Sequence, residues 1–224
     1  MWHDASPTGN VIMEDDGFRR QFDAVLADVC RQIGVPVSGA KLLHLHSNAV
    51  FALPAAGLVV RIAANIAALA RITESLKVTA WLAGDGFPCT VPAPVTGQPF
   101  ALAGKVASVW QYIAQAPGPP ASAIDLARLL RDLHSRPLPP SLPEAFTDPL
   151  DGVTAALQSA PPDAMPSQQG DWLAARIQEL RSRWARLRFP HPSALIHGDA
   201  HPGNLIRAQH GAIVLGDWDH VAIG

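Results

Sequence analysis

The sequence predicts an α+β fold in two lobes, a mostly β amino-terminal lobe over residues 1–112 and a mainly helical lobe over residues 113–224. Three observations predict it. Short apolar runs bounded by turn residues fill residues 41–63 and return at 100–113, as antiparallel strands do. At residues 114–121 the composition shifts to Ala, Pro and Gly, which reads as a boundary between lobes. Beyond it, apolar residues recur at helical spacing. With 48% apolar and 16% charged residues among 224, the chain can bury a sizeable core.

Taken in order, Phe18, Phe22, Val25, Leu26 and Val29 fall on one face of a leading helix that stops at Gly34 and Pro36. Residues 41–45, 50–53 and 58–63 then form a meander of three strands, with turns at 46–48 and 54–57. A helix over 66–83, closed by Gly84 and Gly86, turns Leu69, Ile72, Leu76 and Ala80 inward. The Pro-rich residues 89–99 are loop, followed by strands at 100–102 and 106–113. After the boundary comes a helix over 122–134, with Ser122 as N-cap and a stripe of Leu126, Leu129, Leu130 and Leu133. Residues 137–149 cross irregularly, 151–159 can form a short helix, and 160–170 are loop. The pattern Leu173, Ile177, Leu180, Trp184 and Leu187 gives a helix over 171–188 with its arginines on a solvated face.

Several function classes drop out. A formal net charge of −2 with scattered Arg residues leaves no electrostatic footprint for nucleic acid. Cys30 and Cys89 are too few and too far apart for a disulfide framework or a zinc site, and read as buried thiols. The amino end, MWHDASPTGN, has no basic and then apolar signal. The most apolar region, residues 50–70, is broken by Pro54, Gly57 and Arg61, so no membrane span is expected. A cytoplasmic protein with small-molecule or protein partners follows.

The chemistry gathers in residues 195–224, LIHGDAHPGNLIRAQHGAIVLGDWDHVAIG. Runs at 195–196, 205–206 and 212–215 read as brief strands joined by loops, which puts Asp199, Asn204 and Asp217 at loop ends on one edge of a small sheet. Two carboxylates and a carboxamide are hard oxygen ligands of the kind Mg²⁺ takes while keeping positions for phosphate and water. A carboxylate left off the metal can accept a proton from an attacking hydroxyl. Phosphoryl transfer needs that equipment.

HGDAHPGN followed by LGDWD resembles the aminoglycoside phosphotransferase family, part of the protein-kinase-like superfamily that also holds choline kinases. The family pattern is H-G-D-x-x-x-x-N, an apolar strand, then D-W-[DE] or similar. The resemblance implies a bilobal protein-kinase-like fold, with Asp199 as catalytic base, Asn204 and Asp217 as Mg²⁺ ligands, Asp219 as a supporting acid and His197 bracing the loop. It places Arg61, at the end of the run LVVR, where the family presents a cation to the nucleotide phosphates; the guanidinium fork can bind phosphate bidentately. Glu74 on the next helix becomes the ion-pair partner of that cation. Residues 109–113 match the linker where adenine bonds to backbone groups of Gln111 and Ile113. Ser47, Asn48 and Ala49 stand where the phosphates are covered, without a Gly-rich signature, and residues 125–134 resemble the first helix of the second lobe.

The implied function is an ATP- or GTP-dependent, Mg²⁺-dependent kinase acting on a hydroxyl of a small molecule such as an aminoglycoside, sugar or amino alcohol. The family continues past the D-W-D segment through helices that shape the acceptor pocket, so the chain, ending at Gly224, is expected to be carboxyl-terminally truncated relative to it. Two other readings predict different behaviour. A pseudo-kinase module binds nucleotide without transfer. A dinuclear metallohydrolase uses the H-x-D-x-H string of His197, Asp199 and His201 with Asp217, Asp219 and His220, and ignores ATP.

Overall fold

In a computed structural model, residues 16–46, 48–141, 143, 145–146, 148–161 and 163–224 are described. The amino end, residues 1–15, and Ser47 of the expected phosphate cover lie outside them. Helix α1 (Asp16–Ile33) precedes a meander of β1 (Lys41–Leu45), β2 (Asn48–Leu53) and β3 (Leu58–Ala63). Helix α2 (Leu69–Gly84) follows a 3-10 turn, Ile66–Ala68, whose N-cap Asn65 accepts the Ala67 N–H. Strands β4 (Phe100–Leu102) and β5 (Lys105–Gln111) complete a five-stranded antiparallel sheet in the order β1-β2-β3-β5-β4.

Alternation sorts this sheet into two faces. Phe51, Leu53, Val60 and Ile62 pack with Phe22, Val25, Leu26 and Val29 of α1. Val50, Val59, Ala63 and Trp110 pack with Ile72 and Leu76 of α2 on the opposite face. Arg61 pairs across the ladder with Val50, so it shares the α2 face. Between Leu42 and His44 the β1–β2 register shifts by a bulge, a device that re-aims side chains at a strand end.

The rest of the chain holds α3 (Ala123–Ser135), α4 (Asp151–Ser159), α5 (Ser167–Trp184) and four very short strands: β6 (Leu195–Ile196), β7 (Leu205–Arg207), β8 (Ile213–Leu215) and β9 (Ala222–Ile223). Ser122 caps α3 as expected, and Asp125 returns the bond to the Ser122 N–H, which makes a full capping box. Helix α5 begins earlier than its apolar stripe, because Pro166 at the N-cap fixes the start; its carbonyl accepts from Gln169 and Gly170. Strand β9 pairs with β6, and β7 pairs with β8.

Leu126 and Leu133 of α3 join Leu195, Leu205, Leu215 and Trp218 in a separate core. Val78 and Leu82, the second half of α2, enter that same core, so one helix belongs to both apolar centres. Backbone bonds add to the join: Thr90 donates to Leu215, Leu215 to Pro88, and Gln111 to Val91. No helix among the described residues is long and apolar enough to cross a membrane.

Candidate functional site

The loop between β6 and β7 is pinned from inside by His197, which is 1% exposed. Its Nδ1 accepts the Asp199 N–H at 3.3 Å, so Nε2 carries the proton and donates to the Gly216 carbonyl at 2.9 Å. Burial pushes the imidazole's pKa down, which favours this neutral form. The Trp218 ring packs against His197 with centroids 4.7 Å apart and meets Phe87 edge-on. Gly198 has φ +81°, and a Cβ there would stand 2.8 Å from the His220 carbonyl carbon. Glycine alone lets the loop lie this close to the segment after β8.

Asn204 is buried, its Nδ2 donating to the Asp199 carbonyl at 2.9 Å. Its own carbonyl accepts the Gly216 N–H at 2.8 Å. Because Leu205 pairs with Leu215, Asn204 and Gly216 sit side by side at one end of the β7–β8 ribbon, with Asp217 next in the chain. Nδ2 being occupied, Oδ1 is the atom Asn204 offers a ligand. His201 accepts the Gly203 N–H at 3.1 Å and so caps the 3-10 turn Pro202–Asn204.

Asp217 has φ +60°, a left-handed conformation uncommon for a residue with a side chain and met often at functional sites. The turn reverses the chain after β8 while Leu215 and Trp218 stay buried on either side. Arg61, 7% exposed, donates from Nη2 to Asp217 Oδ1 at 3.2 Å and from Nη1 to Asp219 Oδ1. Arg71 Nη2 lies 3.6 Å from Asp219 Oδ2. Burial pushes the Asp219 carboxyl up, but Arg61 and then Arg71 outweigh it and hold its pKa below the usual carboxylate range. The expected Arg61–Glu74 pairing needs correction. The carboxylates on Arg61 are Asp217 and Asp219, while Glu74 accepts Lys77 Nζ at 2.6 Å, one turn along its own helix. Helical spacing tells which residues share a face of α2, but not how that face is turned toward β3.

Arg61, Asn48, Arg71, Asp199, Asp217 and Asp219 line one cavity of about 540 Å³. Glu74 borders a neighbouring cavity of about 410 Å³, reached past Arg71, Asp219 and His220. Gln111, Tyr112 and Ile113 line a third, narrower void, roofed by Leu43 and Val59 and floored by Ile206. Tyr112 donates to Gly57, so in antiparallel register Gln111 turns its N–H and carbonyl to the other edge, where the N–H meets Val91. The structure thus gathers Asp199, Asp217 and Arg61 at one cavity, fixes Asn204 beside Gly216, sets Gln111 and Ile113 at the narrow void, and leaves Glu74 next door.

The donor set of Asn204 and Asp217 suits a small hard cation: two protein oxygens at one ribbon end, with Asp217 lining the open cavity and Asn204 buried behind it. No group of three or more His, Cys, Asp or Glu among the described residues could hold a metal, which the hydrolase reading requires. The sequence hides the service of Asp219 and Arg71 to Arg61. The signal available was the second Asp of D-W-D, whose neighbour Trp218 is large and apolar enough to carry it inside.

Residues 40–224 match the model of the phosphotransferase enzyme family. No curated protein matches the chain. Among solved structures it is similar to an aminoglycoside phosphotransferase, APH(3'')-Id, from Streptomyces rimosus, with TM-score 0.59, 18% identity, and coverage of 90% of this chain and 78% of that one. It is also similar to the choline kinase LicA from Streptococcus pneumoniae, with TM-score 0.58, 16% identity, and coverage of 89% and 69%. The gentamicin complex of APH(2")-IIa gives TM-score 0.61 at 12% identity, covering 90% and 71%. At these identities the structural likeness establishes the fold.

Proposed function

The chain belongs to the phosphotransferase enzyme family, and on that premise we propose that it transfers the γ-phosphate of ATP or GTP to a hydroxyl of a small molecule. The observation that carries this reading is the convergence of Asp199, Asp217 and Arg61 on one cavity, with Asn204 held at the same ribbon end. Asn204 Oδ1 and Asp217 would hold Mg²⁺, which would supply charge neutralisation to the phosphates.

The remaining roles fall to the chain's own groups. Asp199, exposed at the mouth of the cavity, accepts the proton of the attacking hydroxyl, late in a loose transition state. Its position is set by the His197 and Asn204 bonds to its backbone. Arg61 binds phosphate oxygens with its fork. The backbone of Gln111 and Ile113 bonds the base, and the void beside Leu43 and Val59, about 20 Å³ in this structure, widens to admit it. Residues to about 112 form the nucleotide-binding lobe and the rest the catalytic lobe.

Relatives in solved complexes hold ADP with streptomycin or GDP with kanamycin, and another is a choline kinase. They support a nucleotide cosubstrate and an acceptor among aminoglycosides, sugars and amino alcohols. The test is Mg²⁺-dependent ATP or GTP consumption against a panel of such hydroxylated compounds. Turnover with at least one of them, lost on chelation by EDTA, is the expected result. Nucleotide binding with no transfer to any acceptor would leave a non-catalytic module instead.

A further inference from the structure

The buried counter-charge of Arg61 comes from the segment after β8, two residues beyond Asp217, and not from the helix packed beside β3. We propose that Asp219 is the positioning residue that aims Arg61 at the nucleotide phosphates, and that α2 assists by lending a second cation, Arg71, to the carboxylate. This rests on the phosphotransferase reading above.

Asp219 is 4% exposed, and its Oδ1 receives Arg61. Its Oδ2 is buried without a hydrogen bond, and Arg71 approaches that atom at 3.6 Å. One carboxylate therefore faces two guanidinium groups from two different elements. Glu74, by contrast, is engaged with Lys77 on the surface of α2. The polarity of the helix's contribution is the reverse of the expected one: α2 brings a cation to a carboxylate instead of a carboxylate to a cation.

The arrangement has a consequence for the working cycle. Arg61 also touches Asp217, which the proposed reaction gives to the metal. A cation on Asp217 competes for that oxygen, so Arg61 needs an anchor that does not take part in metal binding. Asp219 meets the requirement because its carboxylate is 4% exposed against 31% for that of Asp217, and so is buried beside Trp218 where Asp217 faces the cavity. Phosphate-binding cation and metal ligand are then both set by the one segment after β8, with Arg71 of α2 as a second contact to its Asp219.

The experiment compares Asp219→Asn and Glu74→Gln with the unaltered chain by calorimetric titration with ATP and, separately, adenosine. Expected is a loss of ATP affinity of about tenfold or more in Asp219→Asn, as for removal of a charged hydrogen bond, with adenosine affinity within twofold. Glu74→Gln should leave both within twofold. An equal loss for ATP and adenosine in Asp219→Asn would mark a merely structural residue and overturn the proposal. So would a tenfold loss in Glu74→Gln with none in Asp219→Asn.

A nucleotide-free double-mutant cycle on urea unfolding separates this proposal from the functional reading. Coupling of Arg61→Met to Asp219→Asn of about tenfold in the unfolding constant, with less than twofold to Glu74→Gln, is expected. If that coupling appears and ATP does not bind, the phosphotransferase reading fails while the Asp219 anchor stands. If ATP binds and the coupling is absent, the anchor fails while the reading stands.

Discussion

Strands β2, β3 and β5 run six or seven residues and bury nearly every side chain, whereas β6 to β9 run two or three residues and are mostly joined by polar loops. Each region serves the site differently. The long ladder fixes the site's cation, Arg61, in a register shared by both neighbouring strands. The short strands supply chain ends: Asp199 follows β6, Asn204 precedes β7, and Asp217 and Asp219 follow β8. Continuous pairing gives rigidity at the cost of loop ends, and a cluster of oxygen ligands needs loop ends. What holds the short region is therefore side-chain bracing, by His197, Asn204 and Trp218, and a glycine where backbones nearly touch.

Gly198 is the most sensitive position of the short region. Gly198→Ala adds left-handed strain and an overlap with the His220 carbonyl, so a stability loss of about 4 kcal/mol or more is expected in urea unfolding. A fully stable variant would show that the loop does not depend on this close approach. In the sheet, Ile62→Ala should cost about 3 kcal/mol through its cavity, yet leave ATP affinity of the folded fraction within threefold. A larger loss of affinity would mean that the apolar face behind β3 also tunes the site.

Titration of His197 gives a smaller, pH-dependent effect. Burial lowers its pKa in the folded chain, so its stabilising contribution is full above about pH 6.5, where the unfolded imidazole is neutral too. As the pH falls below that value the unfolded chain takes up the proton first, and stability is lost. Melting temperature measured from pH 7.5 to 5.5 should fall more steeply in the unaltered chain than in His197→Gln; parallel curves would contradict the assignment. Smallest of all, His201→Ala removes the exposed cap on Gly203 and should cost about 1 kcal/mol or less.

The same contrast explains what could be read from residues alone. The sheet was legible because short apolar runs between turn residues leave few alternatives, and the H-G-D-x-x-x-x-N spacing with D-W-D brought Asp199 and Asp217 to one cavity. Strand β9 has two residues, too few for any periodicity, and forms because Leu195 and Ile196 need partners. The last strand of the sheet ends at Gln111, two residues before the apolar run does, because Tyr112 makes the closing bond to Gly57. Arg61 was visible as a cation at the end of LVVR. Its counter-ions were not, since ion pairs between residues more than 150 positions apart depend on how the two apolar centres dock.

Phosphate transfer by Asp199→Asn tells whether these loop ends assemble a phosphoryl-transfer centre. The substitution keeps shape and removes the carboxylate proposed to accept the proton. With an acceptor that supports turnover by the unaltered chain, the rate should fall by about a thousandfold, within the range for loss of general base catalysis, while ATP affinity stays within threefold. Turnover equal to that of the unaltered chain would mean that Asp199 takes no part in the transfer.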